Sequence, residues 1–159
     1  MKNTIIRYFD RLFPLNRSLT GKDYQKSLDI LKEIIPLKII NFKSGSKVFD
    51  WKIPLEWNVR DAYILDKNKK KIIDFRKNNL HLMGYSEKVS KKIKLNELKK
   101  NLHFIKEIPN AIPYVTSYYK KRWGFCLPFK DYKKLKKGKY KVVIKSKLKK
   151  GFLVYSDKL

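Results

Sequence analysis

The sequence has few of the side chains that perform catalysis or bind metals. Its 159 residues include one cysteine, Cys126, so no internal disulfide can form. The two histidines, His81 and His103, do not combine with Cys126 in the spacing of metal ligands. Ser18 and Ser117 lie outside any Gly-x-Ser-x-Gly elbow, and the six glycines form no phosphate-binding loop. Motifs therefore predict no catalytic residue and no metal site in this chain.

Acidic residues and arginines are also scarce, although the chain is strongly basic. Lysine and arginine total 40 against 14 acidic residues, which gives a formal net charge of +26, yet only six of the basic residues are arginines. Specific recognition of bases and phosphates favours the planar arginine fork. The lysine-rich composition therefore predicts non-specific polyanion binding at low salt, and a basic nucleic-acid-binding protein is the weaker alternative.

Long hydrophobic runs are missing as well. No apolar run approaches the ~18 residues of a membrane span. The amino-terminal residues MKNTIIRYFDRLF are interrupted by Asp10 and Arg11, so they lack the apolar region of a signal peptide. We expect a cytoplasmic protein without a membrane partner. Hydrophobic residues make up 43% and aromatic residues 14% of the chain, which is enough for a packed core.

Apolar spacing predicts two amino-terminal helices followed by strands. The first helix is expected to end at Pro14, and the second, capped by Thr20 or Asp23, at Pro36. Residues 37–42 are rich in isoleucine and predict a strand. Each helix carries one apolar face, so each is expected to lie against another part of a fold.

The remainder of the chain predicts mostly short strands. Several fall between residues 47 and 90, with a hairpin turn at 67–71. Residues 95–105 return to helical spacing, and the histidine within them, His103, is expected to lie partly exposed on that helix. A short helix ending at Gly138 and a hairpin of two strands about residues 149–151 complete the prediction.

Residues 112–126, IPYVTSYYKKRWGFC, form the most unusual stretch of the sequence. It is dense in aromatic side chains, which bury large areas and carry directed polar groups. Its tyrosines and tryptophan could stack on a ligand while Arg122 binds an anion, or the aromatic side chains could pack the core. The candidate binding residues are Tyr114, Ser117, Tyr118, Tyr119, Arg122 and Trp123.

A series of strings, in chain order, resembles a known family. They are LFPLNRSLTG, SGSKVFDWKIPLEW, DAYILD, KIIDF, NNLHLMGYS, IPNAIPYVTSYYKKRWGFC and LKKGFLVYS. Over essentially its whole length, the chain resembles the amino-terminal portion of the zinc aminopeptidase-like family. Members of that family are often labelled polysaccharide-biosynthesis proteins with an aminopeptidase-like domain.

The resemblance implies an α+β fold with an interrupted domain. Residues 1–45 would supply two helices and the first strand of a peptidase-like α/β domain. Residues 46–135 would form an inserted β-rich domain of unknown function, and residues 136–159 would return to the incomplete peptidase-like domain. In the complete family protein, zinc would activate water for hydrolysis of a peptide or amide bond.

The departures from the family limit what can be transferred. Neither His81 nor His103 is followed by the Pro-Ser of the family's metal-binding segment, and no Asn-Asp-Asn follows. No catalytic or zinc-binding residue is therefore carried over to this chain. We expect a non-catalytic amino-terminal fragment, split or truncated, whose partner is a separately encoded catalytic half. The alternative is a stand-alone module that binds a carbohydrate or a peptide.

Overall fold

The computed structural model describes residues 2–117 and 120–158, and it divides the chain into two compact units. The terminal unit comprises Met1–Asn58 and Leu148–Leu159, and the central unit comprises Val59–Lys147. The expected α+β class is confirmed, because both helices and strands are present. The boundaries expected for the inserted domain, 46–135, stay a prediction. No helix in the described ranges is long and apolar enough to cross a membrane.

The terminal unit contains two helices that pack through a small apolar cluster. Tyr8 and Leu12 of the first helix meet Leu15 and Ile30 in this cluster. The first helix ends before Pro14, as the sequence predicts, because proline cannot continue the backbone hydrogen bonds. The elements of this unit are α1 (Lys2–Leu12), α2 (Lys22–Lys32), β1 (Leu37–Lys43), β2 (Lys47–Val48), β3 (Trp51–Lys52), the start of β4 (Glu56–Leu65) and β10 (Phe152–Lys158).

Strands β1 and β10 pair with each other in a two-stranded antiparallel sheet. The pairing runs from Leu37 opposite Lys158 to Lys43 opposite Phe152. This finding corrects the predicted hairpin about residues 149–151. Both of its strands exist, but the second of them pairs with β1, near the start of the chain. The residues near 149–151 do not indicate this pairing, because β1 and β10 lie far apart in the sequence.

The turn at Thr20 and Gly21 is fixed by contacts with Trp57. The backbone N–H of Trp57 donates to the buried Thr20 Oγ1 at 3.0 Å. Gly21 has a φ of 103°, and a Cβ at this position would collide with the Trp57 carbonyl oxygen. Residues 19–21 and 55–57 therefore meet in space, and glycine is required where they meet.

The central unit is built on a four-stranded sheet in the order β5-β4-β9-β6. A hairpin turn joins β4 to β5, as predicted, and the Asp66 carboxylate accepts from the backbone N–H groups of Asn68 and Lys70, both at 2.9 Å. The remaining elements are β5 (Lys71–Asp74), a 3-10 turn (Asn79–His81), β6 (Val89–Lys94), α3 (Leu95–Lys99), β7 (Leu102–His103), β8 (Phe125–Cys126), α4 (Phe129–Tyr132) and β9 (Lys139–Lys149).

The predicted helix over residues 95–105 is wrong beyond its first turn. Helix α3 ends at Lys99, and Leu102 and His103 form strand β7, which pairs in parallel with β8. Leu98 and Leu102, which fit the helical spacing, are both buried. Leu98 lies on α3, however, and Leu102 lies on β7. His103 therefore belongs to a strand and is half-buried.

The central unit is closely packed around Gly84, and a substitution there tests this packing. A Cβ at Gly84 would lie 2.9 Å from Thr116 Oγ1 and 3.2 Å from Thr116 Cβ, whereas a Cβ at Gly138 would meet no atom within 4 Å. We expect Gly84→Ala to lower the free energy of unfolding by about 1–3 kcal/mol, the usual cost of overpacking. Gly138→Ala is the matched control and is expected to change it by less than about 0.5 kcal/mol. Urea unfolding followed by tryptophan fluorescence measures both, and equal effects would contradict the close packing.

Candidate functional site

A short segment, residues 82–87, organises the candidate site in the central unit. On one side Gly84 N donates to the Val115 carbonyl at 2.8 Å, and Ser117 N donates to the Gly84 carbonyl at 3.0 Å. On the other side Met83 N donates to the Gly124 carbonyl at 3.1 Å. The segment therefore holds both ends of the predicted binding stretch in place.

The buried side chain of Ser86 stabilises this arrangement through hydrogen bonds. Its side chain is fully buried, and its Oγ donates to the Met83 carbonyl at 2.7 Å. The same Oγ accepts from Gly124 N at 3.2 Å. The Ser86 carbonyl in turn accepts from Ser146 Oγ on β9 at 2.8 Å. One hydroxyl therefore joins residues 83–86 to residue 124, and one carbonyl joins them to the sheet.

A second glycine makes room for a histidine. A Cβ at Gly124 would lie 2.8 Å from His103 Nε2 and 3.1 Å from His103 Cδ2. Real Cβ atoms do not approach a ring this closely, so residue 124 must be glycine for His103 to occupy its place. The hydrogen bond from Phe125 N to the Asn101 carbonyl, at 2.9 Å, fixes the same approach.

These segments enclose a groove of about 430 Å³, which we call the basic groove. Its volume lies within the ~300–1,000 Å³ typical of small-molecule sites. Its walls combine cationic, hydroxyl, amide and apolar groups. The lining residues are Met83, Lys100, Asn101, His103, Val115, Thr116, Ser117, Lys121, Arg122 and Trp123.

The groove includes three of the six predicted binding residues. Ser117, Arg122 and Trp123 line it. Tyr114 does not line it and is exposed. Tyr118 and Tyr119 lie outside the described residues, so their assignment as binding residues stays a prediction.

Sequence patterns did not identify the other residues of the groove. Asn101 and His103 lie near the 112–126 stretch because β7 pairs with β8, and that pairing is not visible in the sequence. The glycines at 84 and 124 were the available signals, because isolated glycines within strand-like segments often mark a close approach. Thr116 also lies in the 112–126 stretch and lines the groove, but it was not among the predicted binding residues.

The charged side chains that line the groove are all cationic. Lys100, Lys121 and Arg122 line it, and none of its lining residues is a carboxylate. None of these three cations takes part in an ion pair with another residue that the structure describes. Burial, and then the positive charge of Arg122, lower the pKa of His103 below its usual value of 6.5.

Trp123 and Ser117 add two further features. The ammonium of Lys91 lies 5.1 Å from the centre of the Trp123 ring, and Glu97 accepts from that ammonium at 2.9 Å. These contacts hold the ring while part of it lines the groove. The Oγ of Ser117 is buried, and it has no hydrogen-bond partner among the described residues. A buried polar atom without a partner is costly, so it is a feature that a ligand could satisfy.

The histidines and the cysteine form no zinc site among the described residues. His81 Nδ1 donates to the Cys126 carbonyl at 2.8 Å, so only its Nε2 could bind a metal. His103 lies close enough to Arg122 to be affected by its charge, which disfavours a metal cation there. Burial raises the pKa of the Cys126 thiol to about 12, so the thiolate that zinc requires is disfavoured. The described residues contain no group of three or more potential ligands placed to hold a metal.

The carboxylates of the middle region are engaged in local pairs. Asp61 lies 3.3 Å from Arg76, and Asp74 lies 3.1 Å from Lys71. The buried Glu56 accepts from Asn58 Nδ2 at 2.7 Å and lies 3.3 Å from Lys149 Nζ. Each of these three carboxylates therefore lies within ion-pair distance of a cation.

The comparisons with known proteins agree with the expected resemblance. Residues 56–147, more than half of the chain, match the profile of the family described as "Domain of unknown function (DUF2172)". The chain belongs to this family. The matched residues include every residue that lines the basic groove.

A longer relative extends the comparison beyond the matched domain. The chain is 47% identical, over 153 residues, to a Clostridium acetobutylicum protein provisionally named a polysaccharide biosynthesis protein with an aminopeptidase-like domain. It is also similar to a crystal structure from that organism, provisionally titled a peptidase, with a TM-score of 0.91 and 47% identity over 97% of this chain. The chain spans 35% of the length of the curated relative and 36% of the crystallised chain.

The electrostatics of the groove can be tested by NMR titration of the His103 ring. We expect a pKa below 6.5, because burial and Arg122 both disfavour the protonated imidazole. The folded protein then holds this proton less tightly than the unfolded chain, so His103 reduces stability as the pH falls below 6.5. Arg122→Ala should raise the pKa of His103 without restoring the full 6.5, since burial remains. A pKa at or above 6.5 in the unaltered protein would contradict this geometry.

Proposed function

We propose that this chain is the non-catalytic part of an aminopeptidase-like protein, and that its terminal unit docks on a catalytic part. In this proposal the catalytic part, separately encoded or continuous with this chain, supplies zinc and the residues that hydrolyse a peptide or amide bond. The observation that carries the proposal is the exposed apolar surface of the terminal unit. The names of the relatives support the class of activity.

Helix α1 presents apolar side chains that its own unit does not cover. The helix packs through Tyr8 and Leu12, whereas Ile5, Ile6 and Phe9 remain exposed. Phe9 is 60% exposed and stacks on Phe13, whose ring centre lies 5.4 Å away and which is 58% exposed. The sequence predicted that this apolar face lies against another part of a fold. Contiguous exposed apolar side chains of this kind mark interaction sites.

The β1–β10 sheet has a second uncovered apolar face. The register places Ile40 opposite Tyr155 and Phe42 opposite Leu153, so these four side chains share one face. Tyr155 is 50% and Phe42 is 40% exposed. Val154, which points to the other face, is buried. A two-stranded sheet is marginally stable alone, and an additional sheet or helix layer would complete it.

The length of the relatives supports a docking role. This chain corresponds to about a third of the curated relative, whose name includes an aminopeptidase-like domain. No group of three or more potential metal ligands occurs among the residues that the structure describes. In the proposal, the zinc ligands and the catalytic residues therefore belong to the remaining part of the complete protein.

A second function is favoured by the basic groove. Its volume, its three cations without an ion-pair partner among the described residues, and the Ser117 hydroxyl without a described partner are features of a small-molecule binding site. A carbohydrate- or peptide-binding module does not require a catalytic part. The two functions are compatible, because the groove lies in the central unit and the apolar faces lie in the terminal unit.

Docking can be tested with the remainder of the Clostridium acetobutylicum relative. The probe is the part of that protein that lies outside its 153-residue match, mixed with this chain and followed by analytical ultracentrifugation. We expect a one-to-one complex. Phe9→Lys and Tyr155→Lys should each weaken it about tenfold or more, because each places a charge in a buried apolar contact.

Ile108→Lys is the matched control. Ile108 is also exposed, at 56%, but it belongs to the central unit. This variant should bind the probe within about twofold of the unaltered chain, as is usual for residues outside an interface. The absence of any complex, or equal weakening by all three lysine variants, would overturn the docking proposal.

A further inference from the structure

We propose that the basic groove binds an acidic sugar, a saccharide whose ring carries a carboxylate. The inference concerns the central unit alone and does not depend on docking of the terminal unit. It rests on the set of groups that line the groove, on the Ser117 hydroxyl, which has no partner among the described residues, and on the glycines that fix the groove's shape.

The charge of the groove selects an anion. Lys100, Lys121 and Arg122 converge on it, and no lining residue is acidic. Most carboxylates named above already have cationic partners, whereas these three cations have none among the described residues. A guanidinium can bind a carboxylate through two parallel hydrogen bonds, which adds orientation to affinity. A bound carboxylate would therefore lie beside Arg122.

The uncharged polar groups select a ligand that carries hydroxyls. Thr116, Ser117 and Asn101 provide both donors and acceptors in the same groove. The buried Ser117 Oγ has no partner within the described ranges of the chain, and a ligand hydroxyl could supply one. A simple inorganic anion would use the cations but would leave these groups unused.

The apolar groups select a ligand with a non-polar face. Met83, Val115 and Trp123 contribute to the lining. The Trp123 ring also contacts the Lys91 ammonium, which lies 5.1 Å from the ring centre. A sugar ring combines C–H groups on its faces with hydroxyls around its edge, and both kinds of surface are matched here. The volume of about 430 Å³ is sufficient for a small ligand.

The walls of the groove are pre-formed. Gly84 packs against Thr116, and Gly124 packs against His103, at distances that exclude any side chain. Ser86 ties residues 83 and 124 together beneath the groove. Pre-organised groups bind a ligand without first being ordered, which removes part of the cost of binding.

Isothermal titration calorimetry on the full chain at about physiological salt tests the proposal, since non-specific attraction fades at that ionic strength. The probes are tri-galacturonate, tri-glucuronate, the methyl ester of each, tri-glutamate and inorganic phosphate. We expect saturable binding of at least one of the two sugar acids, and binding about tenfold or more weaker for its ester, since the ester has lost the charge. Tri-glutamate and phosphate are expected to bind no better than the ester.

Three variants connect binding to the groove. Arg122→Ala should weaken binding of the sugar acid about tenfold or more, while Lys145→Ala, an exposed lysine of β9 outside the groove, should leave it within about twofold. Ser117→Ala should weaken binding while maintaining or raising the unfolding midpoint in urea, because it removes a buried hydroxyl without a partner. A purely structural serine would not show this combination.

Several results would overturn the inference. One is the absence of saturable binding of both sugar acids, and another is equal binding of tri-glutamate, which would indicate an acidic peptide site. Equal binding of phosphate would indicate a general anion site. Equal loss of affinity in Arg122→Ala and Lys145→Ala would assign the binding to the overall charge of the chain rather than to the groove.

Discussion

The close approach of backbone segments at Gly84 and Gly124 is the constraint on which the central unit depends. Each glycine lies where a side chain would collide with a residue of the groove, Thr116 in one case and His103 in the other. The buried Ser86 hydroxyl joins these two places. Segments that are distant in sequence are thereby held at fixed separations, and they form the cationic walls of the groove.

Sequence reasoning succeeded where local patterns decide the structure. The end of α1 before Pro14 and the hairpin turn between β4 and β5 were both predicted, because both are decided within a few residues. Arg122 and Trp123, two of the predicted binding residues, line the basic groove, and their role in binding stays a prediction. Long-range pairing was not recoverable in this way. The last strand pairs with β1, whereas the sequence predicted a hairpin with β9. His103 lies on β7, which pairs with β8, whereas the sequence predicted a helix there.

The terminal unit and the central unit differ in how completely they cover their apolar side chains. In the terminal unit, Phe9, Phe42 and Tyr155 remain at least 40% exposed. In the central unit, Ile64, Leu98 and Phe125 are fully buried. Membership in the DUF2172 family rests on residues 56–147, nearly all of them in the central unit. The well-covered unit is thus the family domain, and the exposed faces belong to segments that flank it in sequence.

Hydrogen–deuterium exchange of the full chain tests most directly whether the central unit binds a ligand and the terminal unit docks on a catalytic part. The chain is measured alone, with the sugar acid, and with the remaining part of the Clostridium acetobutylicum relative. The account predicts that the sugar acid slows exchange of the backbone amides in residues 83–87, 115–117 and 120–124, and that the remaining part of the relative slows exchange in α1, β1 and β10. Protection of the terminal unit by the sugar acid, or of no segment by either partner, would contradict it.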